Sequence, residues 1–227
     1  METYQQVGAQ LRAFLQAFMG PSGADHGRLP SDVSAAAAIA AAIDRRRNAA
    51  LVPNSRHYAT VLAYGDFILA EGMNIRCEAI QGISGVVALP SVNTLAAGYP
   101  EVQLKRFLTH FFFENPSVVI EQNPHKESTG YLRGASKGDA NALLPGRASF
   151  SQFLILSLNG KPLANREPLV MTAERVEQWP PISSTFVSER PTDFYEINKL
   201  DDTSAKPFAT LAACKAETIT ELSIPDR

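Results

Sequence analysis

The stretch "HYATVLAYGDFILAEGMNIRCEAIQGISGVVALP", from His57 to Pro90, decides the fold, because it reads either as strands or as helices. Apolar residues crowd it without a clean period of 2 or of 3.6. Its β-branched and aromatic content, interrupted by Gly65 and Gly72, favours two strands joined by a turn near Glu71 to Asn74. Asp66 would then break an apolar strand, where an acid stands on an edge, is satisfied by a loop, or takes part in chemistry.

On the N-terminal side the pattern changes to a helical one. Tyr4, Val7, Leu11, Phe14 and Phe18 recur at three- and four-residue spacing and make one apolar stripe, ended by Gly20-Pro21. In "SDVSAAAAIAAAIDRRRNA", Ser31 is placed to cap an alanine-rich helix, and Arg45, Arg46 and Arg47 fall at its negative end. On the C-terminal side, Pro100 and Glu101 open "EVQLKRFLTHFFFEN", where Leu104, Phe107, Leu108 and Phe111 share a helical face and His110 lies on the helix surface.

Beyond Asn115-Pro116, "SVVIEQ" reads as a short buried strand that delivers Glu121 and His125 to a turn-rich loop running to Ser149. Asn159-Gly160 is a hairpin turn of type I′, since both central positions need positive φ. From Pro162 onward there are seven prolines in 66 residues. That density predicts an extended C-terminal region, with short strands near Leu169 to Thr172 and Thr185 to Ser188. The expected architecture is therefore α+β: N-terminal helices packed on a mixed or antiparallel sheet, with a proline-rich extended C-terminal arm. Residues 1–160 would form the core domain and 161–227 the hairpin return and arm, packed on the core or on a neighbouring subunit.

Composition bounds the function. The formal net charge is −2 and only 19% of residues are charged, which argues against a protein that coats nucleic acid and leaves neutral surface for subunit contacts. Cys77 and Cys214 match no metal spacing and read as free thiols. The first twenty residues lack a basic region followed by a continuous apolar run, so no secretory signal is expected. The uncharged run Ala79 to Pro100 carries three glycines and two prolines and is not expected to span a membrane. A cytoplasmic or virion location follows, with no cofactor.

Three function classes fit these features. The first is a structural subunit of a homo-oligomer, of the kind of a viral or phage-like coat or tail protein. Its partners are other copies of itself, and Tyr4, Leu11, Phe18, Val86, Val87, Leu89 and Trp179 lie at the interface. The second is a nucleic-acid-binding component of a ribonucleoprotein. Arg45, Arg46 and Arg47 with Lys126, Arg133, Lys137 and Arg147 would touch phosphates, Arg133 and Lys137 lying within the glycine-rich "GYLRGASKGD". The third is a metal-dependent nuclease: "VVIEQ" resembles the acid-ending strand of RNase H-like resolvases. That resemblance implies Glu121 working with Asp66 and with Asp201 or Asp202 around two cations. A cysteine hydrolase would pair Cys77 or Cys214 with His57 or His125.

Overall fold

A computed structural model of the chain describes residues 54–89, 94–96, 98–113, 117–138 and 143–222. The chain divides into Met1–Ala41 and Ala42–Arg227, and every described residue belongs to the second unit. Both expected N-terminal helices, and with them Tyr4, Leu11, Phe18 and Arg45 to Arg47, lie outside the described residues.

The His57 to Pro90 stretch folds as a β-hairpin, with β1 (Arg56–Leu69) and β2 (Asn74–Ala88) antiparallel. The turn falls where the sequence placed it. Gly72 sits at φ +81, its N–H donates to the Leu69 carbonyl at 2.8 Å, and Met73 returns its carbonyl to the Leu69 N–H at 2.8 Å. Then come β3 (Thr94–Ala96), β4 (Tyr99–Phe113), β5 (Val118–Gln122), β6 (Ser128–Gly134), β7 (Gly146–Gln152), β8 (Leu154–Leu158) and β9 (Lys161–Asn165). They are followed by β10 (Leu169–Val176), β11 (Thr185–Ser188), β12 (Thr192–Glu196) and β13 (Ala209–Leu222).

The expected helices-on-sheet architecture is corrected: among the described residues every element is a strand except one 3-10 turn, Ile197–Lys199. Every strand pairing is antiparallel, and β13 closes on β1. Four staves are the unbroken strands β1, β2, β4 and β13. Each of the other four is a pair of collinear half-strands. For example, β4 pairs with β5 over His110 to Phe113 and with β6 over Glu101 to Arg106. The pairs β5/β6, β8/β7, β9/β10 and β12/β11 follow one another round the wall in the same way. The ring is therefore an eight-stave up-and-down barrel, a size whose interior is filled by side chains or holds one small ligand.

"EVQLKRFLTHFFFEN" is β4 and not a helix, for a local reason. Opposite β2, Phe111 faces Gly82, Thr109 faces Ser84 and Leu108 faces Gly85, but Arg106 faces Val86, so Phe107 is the extra residue of a bulge. The inward phase jumps there from 104 and 106 to 109 and 111. A strand with a bulge puts apolar residues at 104, 107, 108 and 111, the spacing that imitates a helix face.

The expected C-terminal arm is corrected too, because residues 161–222 supply five wall strands. Pro162 lies within β9, while four other prolines occupy places where the ladder is interrupted: Pro168 precedes β10, Pro191 precedes β12, and Pro180 and Pro181 lie in the β10–β11 connection. The strands expected near Leu169 and Thr185 are β10 and β11. Asn159 (φ 49) and Gly160 (φ 80) make the expected hairpin turn between β8 and β9. The coat or tail expectation drew on low charge, the uncharged run from Ala79 to Pro100, an amphipathic first helix and a proline-rich C-terminus; of these the C-terminus is part of the wall to Leu222, and the helix lies outside the described residues.

The halves of the broken staves are joined by side chains that replace missing ladder bonds. Asn165, fully buried, accepts from the Leu154 N–H at 2.7 Å and donates to the carbonyls of Gln152 (2.9 Å) and Glu167 (2.8 Å). Ser128 Oγ accepts from the Phe153 N–H at 2.8 Å and from Gln122 Nε2 at 2.5 Å. Buried backbone groups must find partners, and these short polar side chains supply them at the breaks.

The core lies inside the ring. Phe150, Phe194, Leu104, Leu132, Leu156 and Leu163 are fully buried there, each burial stabilising by roughly 1.5–3 kcal/mol. Arg76, Glu78, Lys105, Lys215 and Glu217 stand on the outer face, at positions that alternate with inward residues. Trp179, between β10 and β11, is buried, and its ring meets the edge of the His57 ring at 5.7 Å between centroids.

Candidate functional site

The barrel encloses a cavity with about 60 Å³ open to water-sized molecules. By that measure it has room for a few waters, each taking about 10–15 Å³. Among the described residues, side chains from seven of the eight staves line it, those of the β2 stave not among them: Val61 and Phe67 from β1, Phe111 from β4, Ile120 from β5, Leu156 from β8, Met171 from β10, Phe186 and Phe194 from β11 and β12, and Cys214 and Ala216 from β13. Ala63 and Ala216 face each other across the β1–β13 pair, and these small side chains leave space.

Among the described residues one charged side chain, Arg106, lines this cavity. It shares the inward phase of Val102 and Leu104, immediately before the bulge. Its guanidinium donates through Nη1 to Ser84 Oγ and lies 4.2 Å from the centroid of the Phe150 ring. The Arg106 Nε–H is buried and has no acceptor. Arg106 keeps some accessible area. No ion pair holds it among the described residues, and burial alone pulls its pKa down to about 10, so the side chain is still cationic at neutral pH.

Around Arg106 the wall is polar over several adjacent staves. Thr109 and Gln152 line the same cavity. Thr109 Oγ1 donates to Gln122 Oε1 at 3.4 Å, and Gln122 Nε2 donates to Ser128 Oγ and to the Phe153 carbonyl. Arg106 stands opposite Ser128, and Gln152 stands opposite Leu169 next to the Ser151–Thr129 pair, which sets Arg106, Ser128 and Gln152 at one level on consecutive staves.

The residues singled out from sequence fall elsewhere. Asp66 is on the outer face of β1, 3.8 Å from Arg76, while Glu121 is on the outer face of β5, 3.3 Å from His110 Nδ1. The strands β2 and β4 lie between them, three steps or about 14 Å along the wall, too far to share two cations roughly 4 Å apart. No group of three or more His, Cys, Asp or Glu able to hold a metal ion occurs among the described residues. His125 is exposed at the β5–β6 break, its N–H bonded to Asn123 Oδ1.

Arg133 and Arg147 line one outer cleft together with Arg175 and Tyr99, and Lys137 lies over the Tyr99 ring at 5.2 Å. Their charge is largely answered. Arg133 pairs with buried Glu101 at 2.5 Å, and Arg147 reaches Glu174 and Glu189. Lys126 sits apart, over the Phe153 ring at the β5–β6 break. Of the residues expected at an interface, Val86 and Trp179 are buried in the chain's own core, and Val87 and Leu89 are half-buried.

Cys77 and Cys214 both stand opposite Gly65, eight residues along β1 from His57, or about 26 Å at the rise of a strand. His57 instead bonds Ser55 Oγ at 2.9 Å and meets Glu221 at 3.4 Å. Burial pushes the Cys214 thiol up to about 12, and burial with a smaller contribution from Asp66 raises Cys77. Alkylation needs the thiolate. Neither cysteine is expected to react with iodoacetamide at mildly alkaline pH in the native protein, and both should react once it is unfolded; mass spectrometry of the modified chain reads this directly. Because the folded values lie above the unfolded ones, the thiols' contribution to stability is complete below about pH 9 and is lost as pH rises towards 12.

Arg106, Thr109 and Gln152 were not singled out from sequence. The signal was present but misphased: "QLKRFLTHFF" as a helix puts Arg106 on a solvent face, and as a bulged strand it points the residue inward.

No family model matches the chain, and no curated protein matches it. The solved structure of DynF from the dynemicin biosynthesis pathway of Micromonospora chersina is similar in fold, with a TM-score of 0.61 and 18% identity over 75% of this chain and 83% of that one. No helix among the described residues is long and apolar enough to cross a membrane.

Proposed function

We propose that the barrel is a binding protein that holds one small, largely apolar molecule inside it. The observation that carries this reading is the enclosed cavity lined by side chains from almost every stave. A barrel whose only task was stability would close on itself without leaving space beside Ala63 and Ala216. The open volume is small, so the ligand is slim and enters as flexible side chains such as Met171 turn aside. The likeness to DynF supports the fold and carries nothing about the ligand. The nuclease reading loses support from the separation of Asp66 and Glu121.

Titration with the slim, rod-shaped neutral dye diphenylhexatriene tests the proposal. Its fluorescence should rise and saturate near one dye per chain. Ala216→Phe adds a ring at a position facing Phe186 and should weaken dye binding by about tenfold or more, at a stability cost of about 1–3 kcal/mol. A native protein whose dye signal does not saturate, or one unaffected by filling the cavity, would sink the reading.

A further inference from the structure

Arg106 is costly where it stands. A buried guanidinium ordinarily has a carboxylate partner and hydrogen bonds for most of its five N–H groups. Among the described residues Arg106 has one hydroxyl acceptor, Ser84, and one aromatic face, Phe150, while its buried Nε–H has none. The wall around it is polar only locally: Thr109 and Gln152 line the same cavity, and the remaining lining residues there are dominated by aliphatic and aromatic side chains. Proteins rarely keep an unpaired buried cation for packing, since an apolar residue of equal volume serves better.

We propose that the ligand is an amphiphile with a single carboxylate, that Arg106 binds this carboxylate inside the barrel, and that its hydrocarbon part lies among the apolar staves. This rests on the interior-binding reading above and adds the chemical class of the ligand. The guanidinium fork matches a carboxylate in shape, and the ion pair forms where water is largely excluded, so each hydrogen bond counts for more than it would at the surface. The carboxylate supplies the acceptor that the Arg106 Nε–H lacks, and the Gln152 amide, at the same level two staves away, is placed to donate to its second oxygen. Burial leaves Arg106 charged at neutral pH, where an aliphatic carboxylic acid is ionised, so both partners meet in their charged forms.

The test compares decanoic acid with decan-1-ol by calorimetric titration at neutral pH on the full chain. The native protein should bind the acid about tenfold or more tightly than the alcohol. In Arg106→Met that ratio should collapse to near one, and Arg106→Lys, which keeps the charge but not the fork, should give an intermediate ratio. Should the methionine variant not fold, the native ratio and the lysine variant decide alone. Equal binding of acid and alcohol by the native protein overturns the carboxylate assignment and leaves the interior-binding reading standing. A preference for the acid that survives in Arg106→Met also overturns it. Failure of both compounds and of diphenylhexatriene to bind overturns the underlying reading and this inference with it.

Discussion

Asn165→Leu is expected to lower the stability of the barrel by about 3–5 kcal/mol, a large share of the roughly 5–15 kcal/mol that holds a typical domain folded. Leucine fits the site in volume, so the loss comes from polarity. The Asn165 amide makes three hydrogen bonds to backbone groups of Leu154, Gln152 and Glu167, at the break between the halves of two neighbouring staves. Leucine leaves a buried N–H and a buried carbonyl unsatisfied, each costing about 1–3 kcal/mol. Urea denaturation followed by tryptophan fluorescence reads the change, because Trp179 is the chain's one tryptophan and is buried. Asn165→Asp adds a sign to the test. Its carboxylate accepts from Leu154 but cannot donate, so the loss should shrink as pH falls and the protonated acid donates again. A leucine variant within 1 kcal/mol or so of the native protein would show that water or backbone movement repairs the break.

Gly82→Val is expected to cost about 3 kcal/mol or more and to leave little folded protein at physiological temperature. Gly82 of β2 faces Phe111 of β4, whose ring lies across it, and a Cβ at Gly82 would come within 3.0 Å of that ring and of the His110 carbonyl. Gly130 and Phe150 repeat the arrangement between β6 and β7, where the added carbon would meet the ring and the Ser149 carbonyl. Each glycine provides the floor on which an interior phenylalanine rests, and Phe150 is the ring beneath Arg106. A double-mutant cycle separates the ring from the backbone. Phe111→Leu in the Gly82→Ala background should recover part of the loss and not all of it, since the carbonyl cannot move aside. Full recovery would mean that ring overlap alone explains the glycine.

The two expectations bear on the site as well as on the fold. Asn165, Ser128 and Gln122 hold together the broken part of the wall beside Arg106 and Gln152. Loosening the breaks should therefore weaken ligand binding in variants that still fold, and diphenylhexatriene titration of Ser128→Ala would read this at a smaller stability cost than Asn165→Leu.

By itself the sequence determined the local punctuation. Asn159-Gly160 and the turn at Gly72 were legible because positive φ is a property of one or two residues. "VVIEQ" and the strands near Leu169 and Thr185 were legible because β-branched runs bounded by turn formers need no distant partner to be recognised. What only the tertiary structure decided is phase and closure. The Phe107 bulge shifts which residues of β4 face inward, and it arises from pairing with β2, so the apolar spacing alone imitates a helix and places Arg106 outside. Prolines at 168, 180, 181 and 191 look like a free arm until neighbouring half-strands show that they mark interruptions in one wall. The ring itself exists because β13 pairs with β1 across nearly the whole described chain. Inside and outside are defined only once that long-range pairing forms, and with them the difference between a solvated arginine and a buried one with an unanswered charge.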